Sequence, residues 1–205
     1  LRLVLAPHND DETLWTSFTI QREKSNVAVV VVFDSFLQQK RGNPVTADDR
    51  RFETRRALLE LGCDIAMFAG IPDHHATASD AEAVSDALLL IKPWRPFGDE
   101  EIEHVYAPAI EENGHEQHNA VGRAADILWP GQVTHYLTYT YRTETHRGGK
   151  SERRLPNGDP DRPVAFTGEM VRRKLRALAC YESQIDLERL GCRDHFCRDL
   201  WEYYE

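Results

Sequence analysis

Residues 27–33 read Val-Ala-Val-Val-Val-Val-Phe, an unbroken apolar and mostly β-branched run. A strand with one wet face alternates polar and apolar residues. This one has no polar position, so it suits a strand buried on both faces of a sheet. The rest of the chain supplies the layers that such a strand needs. Residues 1–6, 64–69 and 102–107 read as further short strands, and 133–141 alternates β-branched and aromatic residues as a strand does. Tyr136, Tyr139 and Tyr141 are expected on one face of that last strand. Helical patterns cover 13–23, 47–61, 80–91, 117–128 and 170–183. In 47–61 the apolar positions are Phe52, Leu58, Leu59 and Leu61, with Gly62 as the stop.

Strands separated by helices, repeated four or five times, predict an α/β fold: a single Rossmann-like domain over residues 1–205, with a mostly parallel sheet and helices on both faces. Residues 142–163 are rich in Arg, Gly, Pro and Asp and have no apolar period. They are expected to form a long active-site loop or a mobile one.

The formal net charge of −9 disfavours nucleic acid or an anionic membrane surface as the main partner, because both need a basic footprint. Arg147, Lys150, Arg153 and Arg154 form a local basic patch in what reads as solvated loop. The longest apolar run is far below the roughly 20 residues that span a bilayer, and no signal-peptide pattern opens the chain. The four cysteines are Cys63, Cys180, Cys192 and Cys197. Reduced thiols or one chance disulfide are the simpler readings, and a cytoplasmic setting fits. Cys192, His195 and Cys197 offer a second zinc site only weakly, since structural sites show tighter pairs in two sets.

Two clusters carry chemistry. Pro7-His8-Asn9-Asp10-Asp11-Glu12 comes directly after the first strand and before a helix, where open α/β sheets bind ligands. One imidazole and three carboxylates this close repel one another unless a cation sits among them. A plain helix N-terminus also explains the carboxylates, with Asp10 as cap and Asp11 and Glu12 at the positive end of the dipole, but it gives His8 no role. The second cluster, Gly114-His115-Glu116-Gln117-His118-Asn119, follows the 102–107 strand and opens a helix. Residues three apart share a helix face, so His115 and His118 can point into one site. A pair of surface histidines is the alternative for that spacing alone. A nucleotide-binding reading fails, because carboxylates stand where phosphates need a glycine-rich turn.

The chain resembles the LmbE-like, or PIG-L-like, family of zinc-dependent N-acetylglucosamine de-N-acetylases. The A-P-H-x-D-D-E hallmark stands at residues 6–12, and H-x-x-H at His115 and His118. Between them R-x-x-E-x-x-x-A-x-x-x-L-G matches Arg50, Glu53, Ala57, Leu61 and Gly62, followed by Pro72-Asp73. A late helix pattern fits loosely at Lys174, Ala177, Leu178, Tyr181, Ser183 and Gln184. Asn9 stands where many members have Pro.

The resemblance implies that His8, Asp11 and His118 bind Zn²⁺ and that Asp10 is the general base. It implies His115 as oxyanion donor and acid, and Arg50 and Asp73 as substrate contacts. Another divalent transition metal suits the same ligands. The substrate it implies is a small amino sugar or glycoconjugate, with no nucleic acid and no membrane span; a homo-oligomer is left open. Amidase action on another acylated amine, such as a thiol conjugate, and a non-catalytic sugar- or metal-binding module are the alternatives. A spare carboxylate at Asp10 argues against the module. Glu12 is expected behind the ligands, and Arg50 paired with Glu53 or Asp73 as a turn residue are the structural alternatives. His74 and His75 are expected at the rim, His104 and His135 in strands, and Trp15, Trp94, Trp129 and Trp201 in packing.

Overall fold

The computed structural model describes residues 1–34, 45–73, 80–91, 102–112, 114–146, 149–156 and 164–187. In chain order the elements are β1 (Arg2–Ala6), α1 (Asp11–Trp15), α2 (Ser17–Glu23), β2 (Val27–Asp34), α3 (Ala47–Leu61), β3 (Ala66–Pro72) and α4 (Ala81–Ile91). Then follow β4 (His104–Pro108), α5 (Glu116–Leu128), β5 (Val133–Tyr136), β6 (Tyr139–His146), β7 (Gly149–Pro156), α6 (Gly168–Leu178) and α7 (Glu182–Leu187). Five strands form one sheet in the order β3-β2-β1-β4-β5, every pair parallel. The order reverses direction between β1 and β4, which is the switch point where α/β sheets open a crevice at their carboxyl ends.

The run that opens the argument is the inner strand β2, and its two faces feed two cores. Val27, Val29 and Val31 pack with Leu14, Trp15, Ile20, Leu58, Leu61, Leu178 and Tyr181, under α1, α2, α3 and α6. Ala28, Val30 and Val32 pack with Val84, Leu88, Ala120, Val121 and Ala124, under α4 and α5. Helices therefore cover both faces, as expected.

The differences from expectation have local causes. The expected helix over 13–23 is two helices that begin at Asp11 and break at Thr16. The Thr16 hydroxyl donates to the Glu12 carbonyl at 2.8 Å, the kind of side-chain bond that bends helices. In α3, Phe52 and Leu59 are 60% and 64% exposed, so they are not core positions. The face at the 3–4 spacing that turns inward is Arg50, Glu53, Thr54, Ala57, Leu58 and Leu61.

β3 runs past residue 69 through Gly70, at φ 75°, with a register shift against β2. The helix expected over 170–183 stops at Leu178. The strand expected over 133–141 is split: β5 ends the parallel sheet, and β6 starts a separate antiparallel hairpin with β7. Tyr136 therefore shares no strand with Tyr139 and Tyr141. Residues 142–146 and 149–156 are strand and not loop; Arg142 pairs with Arg153 across that hairpin. Beyond Tyr141 the ribbon is mostly polar and lacks the apolar alternation by which strands are read. Lys150, Arg153 and Arg154 lie on β7. Arg147, His74, His75, Trp94, Cys192, His195, Cys197 and Trp201 lie outside the described residues, as does 157–163.

No described helix is long and apolar enough to cross a membrane. The close seat of α5 on the end of β4 sets the position of the second cluster. A Cβ at Gly122 would lie 2.5 Å from the Pro108 carbonyl oxygen and 3.0 Å from Ile110. Gly122→Ala should cost about 1–3 kcal/mol through overpacking, outweighing the helix-propensity gain of up to about 1 kcal/mol. A lower denaturation midpoint at unchanged m-value checks it, and an unaltered midpoint would refute the close-packing account.

Candidate metal centre

β1 and β4 lie side by side, so the turns leaving their carboxyl ends face each other. After β1, Pro7 is fixed by its carbonyl, which accepts the Phe33 N–H at 2.8 Å. The chain then turns sharply at Asp10, whose φ of 150° and ψ of −25° lie where non-glycine residues rarely go. Such a conformation costs about 1–3 kcal/mol and persists only where its surroundings over-determine it. Its effect is to send two successive carboxylates in different directions. Asp11 turns to two imidazoles, and Asp10 turns to Arg50.

The Asp11 Oδ2 atom is 3.1 Å from His8 Nδ1 and 3.2 Å from His118 Nε2. One donor atom from each of the three residues lies within 4.8 Å of the others. A tetrahedral ion with bonds of about 2.0–2.1 Å holds its donors about 3.3–3.4 Å apart, so the set is of the right size.

A second layer orients each donor. Trp15 Nε1 donates to Asp11 Oδ1 at 3.0 Å, leaving Oδ2 to face the histidines. His118 Nδ1 is 3.4 Å from Thr138 Oγ1. Gln117 Nε2 donates to the Asp73 carbonyl at 2.5 Å, which turns Gln117 Oε1 to His8 Nε2 at 2.6 Å. An amide oxygen only accepts, so the His8 proton sits on Nε2 and the Nδ1 lone pair faces a carboxylate. Two electron-rich atoms at that distance need a cation between them, or a second proton on the ring. The donor chemistry therefore fits a divalent ion such as zinc.

Electrostatics separate the carboxyls. Burial alone would raise Asp11, but His118 and His8 outweigh it and hold it well below the usual carboxylate range. Burial would likewise lower His8, but Asp11 and then Gln117 hold its imidazole above the ordinary value. Burial pushes the Asp10 carboxyl up to about 6 against the pull of Arg50, with the Asp11 charge adding to the rise. It pushes Glu12 up to about 7 against the bond from Tyr181, with the Asp10 charge adding to the rise.

His115 caps α5, its Nδ1 accepting the Gln117 N–H at 3.3 Å. Its ring centroid is 5.2 Å from that of His8 and 5.1 Å from that of His118, but it stands outside the three-donor set. Asp73 lies half-buried at the end of β3. Arg50, expected to contact substrate, lies beside the Asp10 turn. It is 2% exposed, and its guanidinium bonds the Asn9 carbonyl, Asp10 Oδ2 at 3.2 Å, Glu53 Oε2 at 3.2 Å and Ser183 Oγ at 3.2 Å. The ion pair with Glu53 is present, and the same guanidinium holds the Asp10 turn. Asn9 is buried and donates to Thr54 Oγ1 at 3.1 Å, so it ties the turn to α3. His104 bonds Thr134 and His135 bonds Pro108 and Asp126, away from the three donors.

Trp15, Gln117 and Thr138 join the site beyond the residues that the two sequence clusters supply as ligands. Trp15 stands four residues after Asp11 on a helix, a spacing that signals a shared face. Thr138 has no signal in the sequence, because it comes close only through the fold.

The family model described as "PIG-L: GlcNAc-PI de-N-acetylase" matches residues 3–129. No curated protein sequence matches the chain. Among solved structures it is similar to a triple mutant of a deacetylase involved in the teicoplanin biosynthetic pathway, at TM-score 0.63 and 21% identity, covering 95% of this chain and 87% of that one. The N,N'-diacetylchitobiose deacetylase of Pyrococcus horikoshii matches at TM-score 0.54 and 16% identity, over 89% and 70%. The 4-carboxy-2-hydroxymuconate hydratase GalB of Pseudomonas putida KT2440 matches at TM-score 0.51 and 19% identity, over 94% and 82%. At these identities the likenesses establish the shared fold.

Trp15→Phe keeps an aromatic ring but removes the donor to Asp11 Oδ1. Zinc affinity is expected to fall about 10- to 100-fold, read by competition with a chelator. Unaltered affinity would remove Trp15 from the support of the centre.

Proposed function

Because the chain belongs to the PIG-L family of GlcNAc-PI de-N-acetylases, we propose that it is a zinc-dependent hydrolase that removes an N-acyl group, an acetyl, from an amino sugar or glycoconjugate. The observation that carries this reading is the division of labour between adjacent carboxylates. Asp11 lies within the three-donor set, and Asp10 lies beside it, bonded to Arg50 and 17% exposed at its side chain. A binding module needs only the first.

His8, Asp11 and His118 would hold the ion, which when bound acidifies water and polarises the acyl carbonyl. Asp10 accepts the proton of the attacking water, its carboxylate standing next to the three-donor set and held there by Arg50. Arg50 keeps that carboxylate pointed. His115 accepts the Gln117 N–H at Nδ1, which places its proton on Nε2. From there it donates a hydrogen bond to the carbonyl oxygen as negative charge builds, and the proton that Asp10 took from the water passes to the nitrogen as the C–N bond breaks. The products are a free amine and acetate. The Asp73 carboxylate accepts hydrogen bonds from sugar hydroxyls at the rim. Buried thiols at Cys63 and Cys180 support a reducing, cytoplasmic setting.

The test is metal analysis together with a screen of N-acetylated amino sugars, free and aglycone-linked, read as released acetate. About one zinc per chain and acetate release from at least one of them are expected. A metal content near zero would sink the proposal, and a different bound metal would replace zinc within it, since the ligand set accepts several divalent ions. Asp10→Asn should keep the metal and lose about 10²- to 10⁴-fold in turnover; full activity would overturn the base assignment.

A further inference from the structure

Glu12 is a carboxyl that the proposed reaction does not use. It is fully buried, and it stands outside the three-donor set. Its two oxygens are nonetheless occupied. Oε2 accepts the main-chain N–H of Asp10 at 3.1 Å. Oε1 accepts the Thr13 hydroxyl at 3.1 Å and the Tyr181 hydroxyl in a short bond. Asp10 is the residue with the unusual backbone. Its N–H also meets the His8 carbonyl at 3.1 Å, so Glu12 is the side chain that fixes the strained peptide directly.

Tyr181 is fully buried between the two supports of Asp10. Its hydroxyl donates to Glu12, and its ring faces the Arg50 guanidinium at 5.6 Å. Arg50 in turn bonds the Asp10 carboxylate. One tyrosine therefore touches the group that holds the Asp10 main chain and the group that holds its side chain. It arrives from just beyond α6, outside the residues that the family model matches.

We propose that Tyr181 is a positioning residue for Asp10, acting through Glu12. The inference rests on Asp10 being the proton acceptor of the reaction proposed above. The hydroxyl keeps the Glu12 carboxyl aimed at the Asp10 N–H, and that bond keeps the turn in its strained form. A tyrosine that only filled space would act through its ring and would not need the oxygen.

Tyr181→Phe removes the oxygen and keeps the ring. Tyr136→Phe is the control: it too deletes a buried hydroxyl bond, from Tyr136 to the Leu5 carbonyl at 2.8 Å, but away from Glu12. Amide hydrogen exchange by NMR is the first readout. In Tyr181→Phe the Asp10 N–H should exchange about tenfold faster, the equilibrium worth of one lost hydrogen bond, while β2 amides keep their wild-type rates. Tyr136→Phe should leave Asp10 exchange as it is. Turnover is the second readout. With p-nitrophenyl N-acetyl-β-D-glucosaminide or free N-acetylglucosamine, acetate release should fall about tenfold or more in kcat, with KM and zinc content unchanged. Wild-type Asp10 exchange in Tyr181→Phe would overturn the proposal, and so would an equal acceleration in the control. If Tyr181→Phe does not fold, Glu12→Gln, which offers one acceptor oxygen to three donors, must show the faster Asp10 exchange instead. A wild-type protein that releases no acetate from any amide would defeat the hydrolase reading alone, because the exchange rates still decide the role of Tyr181.

Discussion

The contact between His8 Nδ1 and Asp11 Oδ2 is the constraint from which the rest of the site follows. A lone pair and a carboxylate face each other across 3.1 Å inside the protein, where charge is poorly screened. The arrangement is stable only with positive charge at that point. The neighbouring carboxyl, the strained turn and the buried arginine are consequences of building a small cationic centre next to a second acid without letting the two merge.

That separation is costly, and α3 is where the cost appears. Arg50 lies among Asp10 and Glu53 with almost no solvent contact. Removing one partner of a buried pair leaves an uncompensated charge, at about 3–5 kcal/mol. Glu53 is tied further, its two oxygens accepting the Ser183 N–H and hydroxyl at 2.7 Å each. The inner face of α3 is thus partly ionic, and its Phe52 and Leu59 are left outside. A helix that breaks the rule of apolar-in, polar-out does so here because its inner face braces a reactive turn, which is where such rules are expected to fail.

The same reasoning separates what could be read in the sequence from what could not. The β2 run, the alternation of strands and helices, and the two clusters at His8–Asp11 and His118 were legible because each is local. Strand order then brings the clusters together across the switch point. The inward turn of Arg50 was not legible, since an arginine on a helix reads as surface. The break at Thr16 depends on one hydroxyl finding one carbonyl. Beyond Tyr141 the sequence of the β6–β7 hairpin is mostly polar, so it lacks the apolar alternation that reveals strands. Thr138 reaches His118 only after β5 has taken its place beside β4.

The exposure of the four central groups sets the direction of approach. Side chains of His8 and Asp10 are 19% and 17% exposed, against 5% for Asp11 and 3% for His118. A ligand therefore meets the open side of the centre at His8 and Asp10, with the deeper pair behind. Gln117 links that side to the end of β3, with one amide atom on His8 and the other on the Asp73 carbonyl. The proton position on His8 is thus decided by a main-chain oxygen just past β3, two strands away in the sheet. The end of β3 and the lone pair that faces Asp11 are joined by a single side chain, so neither can shift without disturbing the other.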